Sequence, residues 1–211
     1  GQTNALKGSL LSICLEQLYD KDPVLRKWMV ICLGNLWLNY EDARWSGARD
    51  LAYEKLYVLL KDPVPEVRAA TVYALGTFIS SAIDRTSQAN DLDRSIAVHM
   101  MECVLNDMSF LVRMELVSAL QWIVKLFDNQ FVEVFLREDT AYSKDSDRPS
   151  RESSLTRMTT SVGGRTRTNS GNNLCILATE RVFTHSNCYS SLYLKLWQGM
   201  VCLSRDPYPE V

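Results

Sequence analysis

The chain has 211 residues, 46% of them apolar, with a net charge of −2. Acids and bases are nearly balanced and interspersed, so neither nucleic acid nor an anionic membrane is expected as a partner. No apolar run reaches the roughly 20 residues of a membrane span, while the apolar content suffices for a sizeable core.

Taken in order, the first helical pattern runs from about Leu6 to Tyr19, with Leu10, Cys14 and Leu18 on one stripe. A turn at Asp20 follows, then a second helix beginning "DPVLRKW" at Asp22. A longer pattern from about Asp42 to Leu60 leads to "DPVPEVRAATVYALG" at Asp62, and one from about Leu92 to Leu105 leads to "DMSFLVRMELVSALQ" at Asp107. The three second helices align at offsets of 42 and 45 residues. Asp20, Asp62 and Asp107 fall in one column and Arg26, Arg68 and Arg113 in another. Leu33, Leu75 and Leu120 fall in a third, and the apolar columns step by four, four and three, one face of a helix. A period in the low forties built from helix, turn and helix is that of HEAT and armadillo repeats.

The turn chemistry fits that unit. Pro65 suits the first turn of a helix, where a missing N–H costs nothing, and Glu66 sits at the positive helix end. The third copy has Phe110 in place of the proline. Residues 129–139 read as the first helix of another pair. Residues 140–173 hold 13 Ser or Thr and few large apolar side chains, and are expected to be disordered. A helix returns near Tyr189 and runs into "DPYPEV", a fourth copy of the turn.

The expected architecture is therefore an all-α solenoid of HEAT/armadillo-type helix pairs interrupted by a disordered Ser/Thr/Arg-rich loop. Residues 1–138 carry about three pairs plus the first helix of another. Residues 139–187 are the disordered insertion, and 188–211 resume the solenoid and start the next turn. Because the chain opens on "GQTNALKG" and stops inside the pattern, it reads as a piece of a longer protein.

Little points to catalysis. The six cysteines, Cys14, Cys32, Cys103, Cys175, Cys188 and Cys202, contain no Cys-x-x-Cys pair and read as reduced, buried residues. Cys103 and His99 stand four apart on one helix, but no third group supports a nucleophile, and zinc-ligand spacing is absent. No phosphate-binding loop, cofactor site or metal site is expected. The five tryptophans read mostly as core residues, with Trp45 the candidate anchor. Charges such as Glu41, Asp42, Arg49 and Asp50 read as a solvated face, with Arg44 and Arg49 as exposed positions for a charge-reversal test.

The insertion offers a second kind of site. Arg165 and Arg167 precede Ser170 by five and three residues, Arg151 precedes Ser154 by three, and Arg157 precedes Thr160 by three. Basophilic kinases read such patterns in flexible chain, so Ser170, then Ser154 and Thr160, are candidate phosphorylation sites, Ser170 leading. A phosphoserine-reading adaptor is the expected reader.

The blocks "DPVLRKWMVICLGNLW", "ARWSGARD" and "DPVPEVRAATVYALGTF", with the later insertion and "DPYPEV", resemble the armadillo/HEAT region of the Raptor family, regulatory scaffolds of the TOR kinase in TOR complex one. The resemblance covers residues 8–138 and 189–211; the insertion matches by place and character alone. It implies a non-enzymatic scaffold that binds the TOR kinase, presents substrates carrying a short signalling motif, and docks on Rag GTPases. It also implies a cytoplasmic protein recruited to the lysosomal surface under nutrient control. The whole protein would carry a caspase-like domain before this segment and a WD-repeat propeller after it. Family resemblance further implies that the Asp and Arg columns (Asp20, Arg26, Asp62, Arg68, Asp107, Arg113) form a hydrogen-bonded ladder between repeats. The alternative is another HEAT-repeat adaptor, such as a nuclear transport receptor or phosphatase scaffold subunit, which shares the Asp/Arg repeat but not the "ARWSGARD" block. An enzyme with regulatory repeats is the third class.

Overall fold

A computed structural model describes residues 1–79, 86–136 and 188–211, with the side chains of 188–190 excepted. The described residues are helical, with no strand among them. They fall into two compact units, one of Gly1–Asp128 with Leu196–Val211, the other within Asn129–Lys195.

In the first unit, α1 (Gln2–Lys7) and α2 (Leu10–Glu16) precede a 3-10 turn (Gln17–Tyr19) and α3 (Pro23–Trp37). Then come α4 (Glu41–Arg49), α5 (Ala52–Leu59) and α6 (Pro65–Ile79). α7 (Ser87–Val104) and α8 (Phe110–Leu126) follow. The last helix, α9 (Cys188–Leu203), begins in the second unit and ends in the first. In the second unit, residues 129–136 are helical, and Phe131 meets Tyr193 edge to face, centroids 5.2 Å apart.

Two of the first helices expected from the sequence are broken. The Leu6–Tyr19 pattern splits at Ser9, and the Asp42–Leu60 pattern splits at Leu51; both residues take a left-handed backbone, φ 60° and 52°. A single left-handed residue ends an α-helix, because its carbonyl and N–H leave the ladder. The break lets α4 and α5 point their buried residues at different neighbours. The unit α4–α5–α6 thus has three helices, as armadillo repeats do. α7 runs unbroken but starts earlier than its apolar stripe suggests, because the Thr86 hydroxyl accepts the Ala89 N–H at 3.2 Å and caps it.

α3, α6 and α8 lie side by side, and α6, in the middle, is buried on most of its circumference. Leu33, Leu75 and Leu120 are at most 2% exposed. Close approach is set by small residues. A Cβ on Gly76 would stand 2.8 Å from that of Ala119, and one on Gly47 would stand 2.9 Å from Trp37 Nε1. Trp37 is fully buried, with its ring edge-on to Phe78 at 4.9 Å. No described helix is long and apolar enough to cross a membrane.

Candidate interaction surface

The turn residues build one motif three times. Arg26 sends Nε and Nη2 to the two carboxylate oxygens of Asp62, at 2.8 and 2.9 Å, and Nη1 to the carbonyl of Asp20 at 2.8 Å. Arg68 does the same to Asp107, at 2.7 Å twice, and to the Asp62 carbonyl at 2.8 Å. Arg113 forks onto Asp206 and donates to the Asp107 carbonyl. Each guanidinium thus clamps its own turn to the carboxylate of the next, in the bidentate geometry that fits a planar fork.

The aspartates have a second task. Asp20, Asp62, Asp107 and Asp206 each accept the backbone N–H two residues on, from Asp22, Val64, Ser109 and Tyr208, at 2.8 to 3.0 Å. This side chain to backbone bond shapes the turn before each helix. The Arg113 fork, with the Tyr208 N–H, holds the Asp206 carboxyl below the ordinary carboxylate value. Burial alone would raise Asp107, but the Arg68 fork and the Ser109 N–H outweigh it and hold it low as well. Asp206 belongs to the "DPYPEV" turn and closes the third rung, with Tyr208 stacked on Phe110 at 5.3 Å.

Beside this edge, α3 and α8 present an outward stripe. Val24, Trp28 and Asn35 are exposed on α3 with Leu38 just past its end, and Phe110, Ser118, Gln121 and Trp122 on α8. Trp28 is 52% exposed and Trp122 39%, and each carries a lysine against its ring, Lys27 at 5.3 Å and Lys125 at 5.5 Å. Between them on α6, the Tyr73 hydroxyl donates to Asn35 Oδ1 at 2.9 Å. An apolar groove of about 410 Å³ lies between α8 and the end of α9, lined by Val117, Leu120, Val124, Met200 and Leu203 among others. Lys125 is its one titratable side chain, so it suits packing rather than chemistry.

The chain as a whole has counterparts among known proteins. A HEAT repeat model matches residues 53–82. "Protein raptor homolog" of Dictyostelium discoideum is 44% identical over 98 residues, covering 46% of this chain and 6% of that protein. "Target of rapamycin complex 1 subunit mip1" of Schizosaccharomyces pombe is 32% identical over 211 residues, all of this chain and 13% of that protein. The crystal structure of Chaetomium thermophilum Raptor superposes on the whole chain, with a TM-score of 0.71 and 26% identity, over 15% of that chain. The chain belongs to the Raptor family. It spans 6% and 13% of the length of the two Raptor-family relatives compared by sequence.

Within this Raptor-family chain, the "ARWSGARD" block differs from its sequence reading. Arg44 is not an exposed position: it is 2% exposed, its Nε donates to the Phe78 carbonyl at 2.6 Å, and Nη2 pairs with Asp93 at 2.8 Å. Asp93 is fully buried. The guanidinium sits over Trp45 and Phe78, at 5.4 and 5.7 Å from the ring centres. Arg44 therefore satisfies a carbonyl near the C-terminal end of α6 while gripping α7. Periodicity held a sign of this: Asp93 stands three residues before Ile96, on the buried stripe that continues to Met100 and Val104. A carboxylate there needs a buried cation.

Trp45 is half-buried beside Arg44 and donates its N–H to Glu41 at 3.1 Å, so the anchor-like tryptophans are Trp28 and Trp122 instead. Arg49 ends α4 next to Asp50, which is exposed. Of the cysteines described, Cys14 is buried but Cys32, Cys103 and Cys202 are only half-buried. Burial, more than the charge of Glu102, pushes the Cys103 thiol up despite Lys61, the opposite of an activated nucleophile. His99 is stacked on Tyr57, ring centres 3.9 Å apart. No group of three His, Cys, Asp or Glu among the described residues could hold a metal. Ser154, Thr160, Ser170, Cys175 and His185 lie outside the described residues.

Proposed function

We propose that this segment is a non-enzymatic scaffold part of a TOR complex one subunit, and that the outward stripe of α3, α6 and α8 is where a partner protein docks. The relatives named as Raptor and as a target of rapamycin complex 1 subunit carry this reading. In support, the Arg–Asp rungs hold three helices in register and leave Trp28 and Trp122 outward, the kind of anchor on which protein interfaces concentrate energy. The partners proposed are the TOR kinase, Rag GTPases and substrates carrying a short signalling motif, met in the cytoplasm and at the lysosomal surface. Ser170 in the insertion is proposed as a phosphate acceptor read by a phosphoserine-binding adaptor.

The test uses the protein at its full natural length. Trp28→Ala with Trp122→Ala should lower co-precipitation of one partner, TOR kinase or Rag GTPase, at least tenfold with an unchanged melting temperature. Full retention of both partners would move the docking surface elsewhere. For the insertion, phosphate mapping after treatment with a basophilic kinase should lose one site in Ser170→Ala; an unchanged map would remove Ser170 from the proposal.

A further inference from the structure

The outward stripe carries a charge that the described fold does not answer. Glu115 is half-buried on α8, and among the described residues it has no ion-pair partner. Helix contacts fix its place. α6 and α8 run in the same direction, because Arg68 meets Asp107 near their starts and Gly76 meets Ala119 further along. Tyr73 and Glu115 stand three and four residues before Gly76 and Ala119, so both lie beside that seam one turn earlier. On its other side the Tyr73 ring covers Gly34, where a Cβ would stand 2.7 Å from it, and its hydroxyl donates to Asn35 Oδ1 at 2.9 Å. Asn35, Tyr73 and Glu115 thus form one row across α3, α6 and α8. Trp28 stands seven residues before Asn35 and Trp122 seven after Glu115, two helical turns each, so each tryptophan shares a face with its member of the row.

We propose, resting on the docking reading above, that Glu115 receives an arginine of the partner protein while Trp28 and Trp122 take apolar side chains on either side. Charge complementarity selects a cation. Burial alone pushes the Glu115 carboxyl above its ordinary value, opposite in direction to the paired Asp107 and Asp206. A partner's cation removes that penalty. The acceptors select arginine. The Tyr73 hydroxyl has given its proton to Asn35 and can still accept, and an ionised carboxylate only accepts. A guanidinium brings five N–H donors in a planar fork, where an ammonium brings three from one point. Arginine is also enriched at interfaces and lysine depleted. Lys27 and Lys125 stand against the two tryptophans and oppose further positive charge there. The segment that fits therefore carries its arginine between uncharged or acidic ends.

The experiment uses the full-length protein with purified TOR kinase and Rag GTPases as probes. A benzoylphenylalanine photo-crosslinker replaces Ser118, exposed one turn beyond Glu115, and the crosslinked partner peptide is mapped by mass spectrometry. The expected peptide holds an arginine within a few residues of the crosslink. Glu115→Gln should weaken that partner's binding at least about tenfold, with the melting temperature unchanged or raised, since an unpaired charge is removed. Glu115→Arg should abolish binding, and changing the mapped partner arginine to glutamate should restore it. A peptide without arginine, or no crosslink, overturns the proposal. Binding unchanged in Glu115→Gln but weakened by Trp28→Ala with Trp122→Ala overturns the arginine and leaves the docking surface standing; binding unchanged in both removes the two together. A loss in Glu115→Gln with a lowered melting temperature makes Glu115 a structural residue and overturns the proposal as well.

Discussion

Two kinds of arginine–aspartate pair hold this chain, and they behave differently. The rungs at the turn edge repeat three times, keep side-chain exposures of 4 to 16%, and share their aspartates with backbone N–H groups. The Arg44–Asp93 pair occurs in the α4–α7 contact, with side chains 3% and 0% exposed. A rung is a modular joint whose loss leaves groups that water can reach. The Arg44–Asp93 pair sits where water cannot follow, so its two charges depend on one another. Repetition makes the first kind visible in a sequence, and burial makes the second kind energetically exacting.

The comparison can be broken most sharply at Asp93. Asp93→Ala leaves a buried guanidinium facing α7 and should destabilise the chain by about 3–5 kcal/mol in urea unfolding. Replacing both partners, Arg44→Met with Asp93→Leu, should cost clearly less than the single change; an equal or larger loss would mean the pair is not acting as a unit. As a reference for packing alone, Leu75→Ala should cost about 2–5 kcal/mol, since Leu75 is fully buried in the central helix.

Breaking a rung should cost less. Arg68→Ala removes a charged fork and should cost about 1.5–3 kcal/mol, the range for hydrogen bonds to charged groups. If Arg68→Ala costs as much as Asp93→Ala, the distinction between modular and buried pairs fails. The smallest effect is that of pH. Asp107 and Asp206 are held below the ordinary 3.8, so the stability they contribute is present above that value and lost as pH falls through the depressed folded values. A melting series should show stability declining from about pH 4 downward. That decline should be shallower in Arg68→Ala, whose Asp107 has lost its fork.

The repeat was legible because each copy spends the same residue types on the same task. Aspartate shapes the turn, arginine clamps it, and leucine fills the seam, and three copies lift that pattern above chance. The left-handed residues Ser9 and Leu51 carried no comparable sign, since neither is glycine and each sits inside an unbroken apolar periodicity. In sequence Arg44 looks exposed, because a charge beside Trp45 and near Glu41 resembles a polar face until α7 is laid against it. Trp28 and Trp122 look no different in sequence from Trp37, yet Trp37 is fully buried and the other two face outward.

The sequence by itself determined the helical class, the repeat period and the identity of the Asp and Arg columns, because these rest on local propensity, turn chemistry and spacing along one chain. Tertiary structure alone decided where α2 and α5 begin, which arginine is buried, and which tryptophans face outward. Those depend on contacts between residues such as Arg44 and Asp93, or Trp37 and Phe78, that lie on different helices. Burial of a charge or an indole is a property of the neighbours that close over it, and only the packed fold brings those neighbours together.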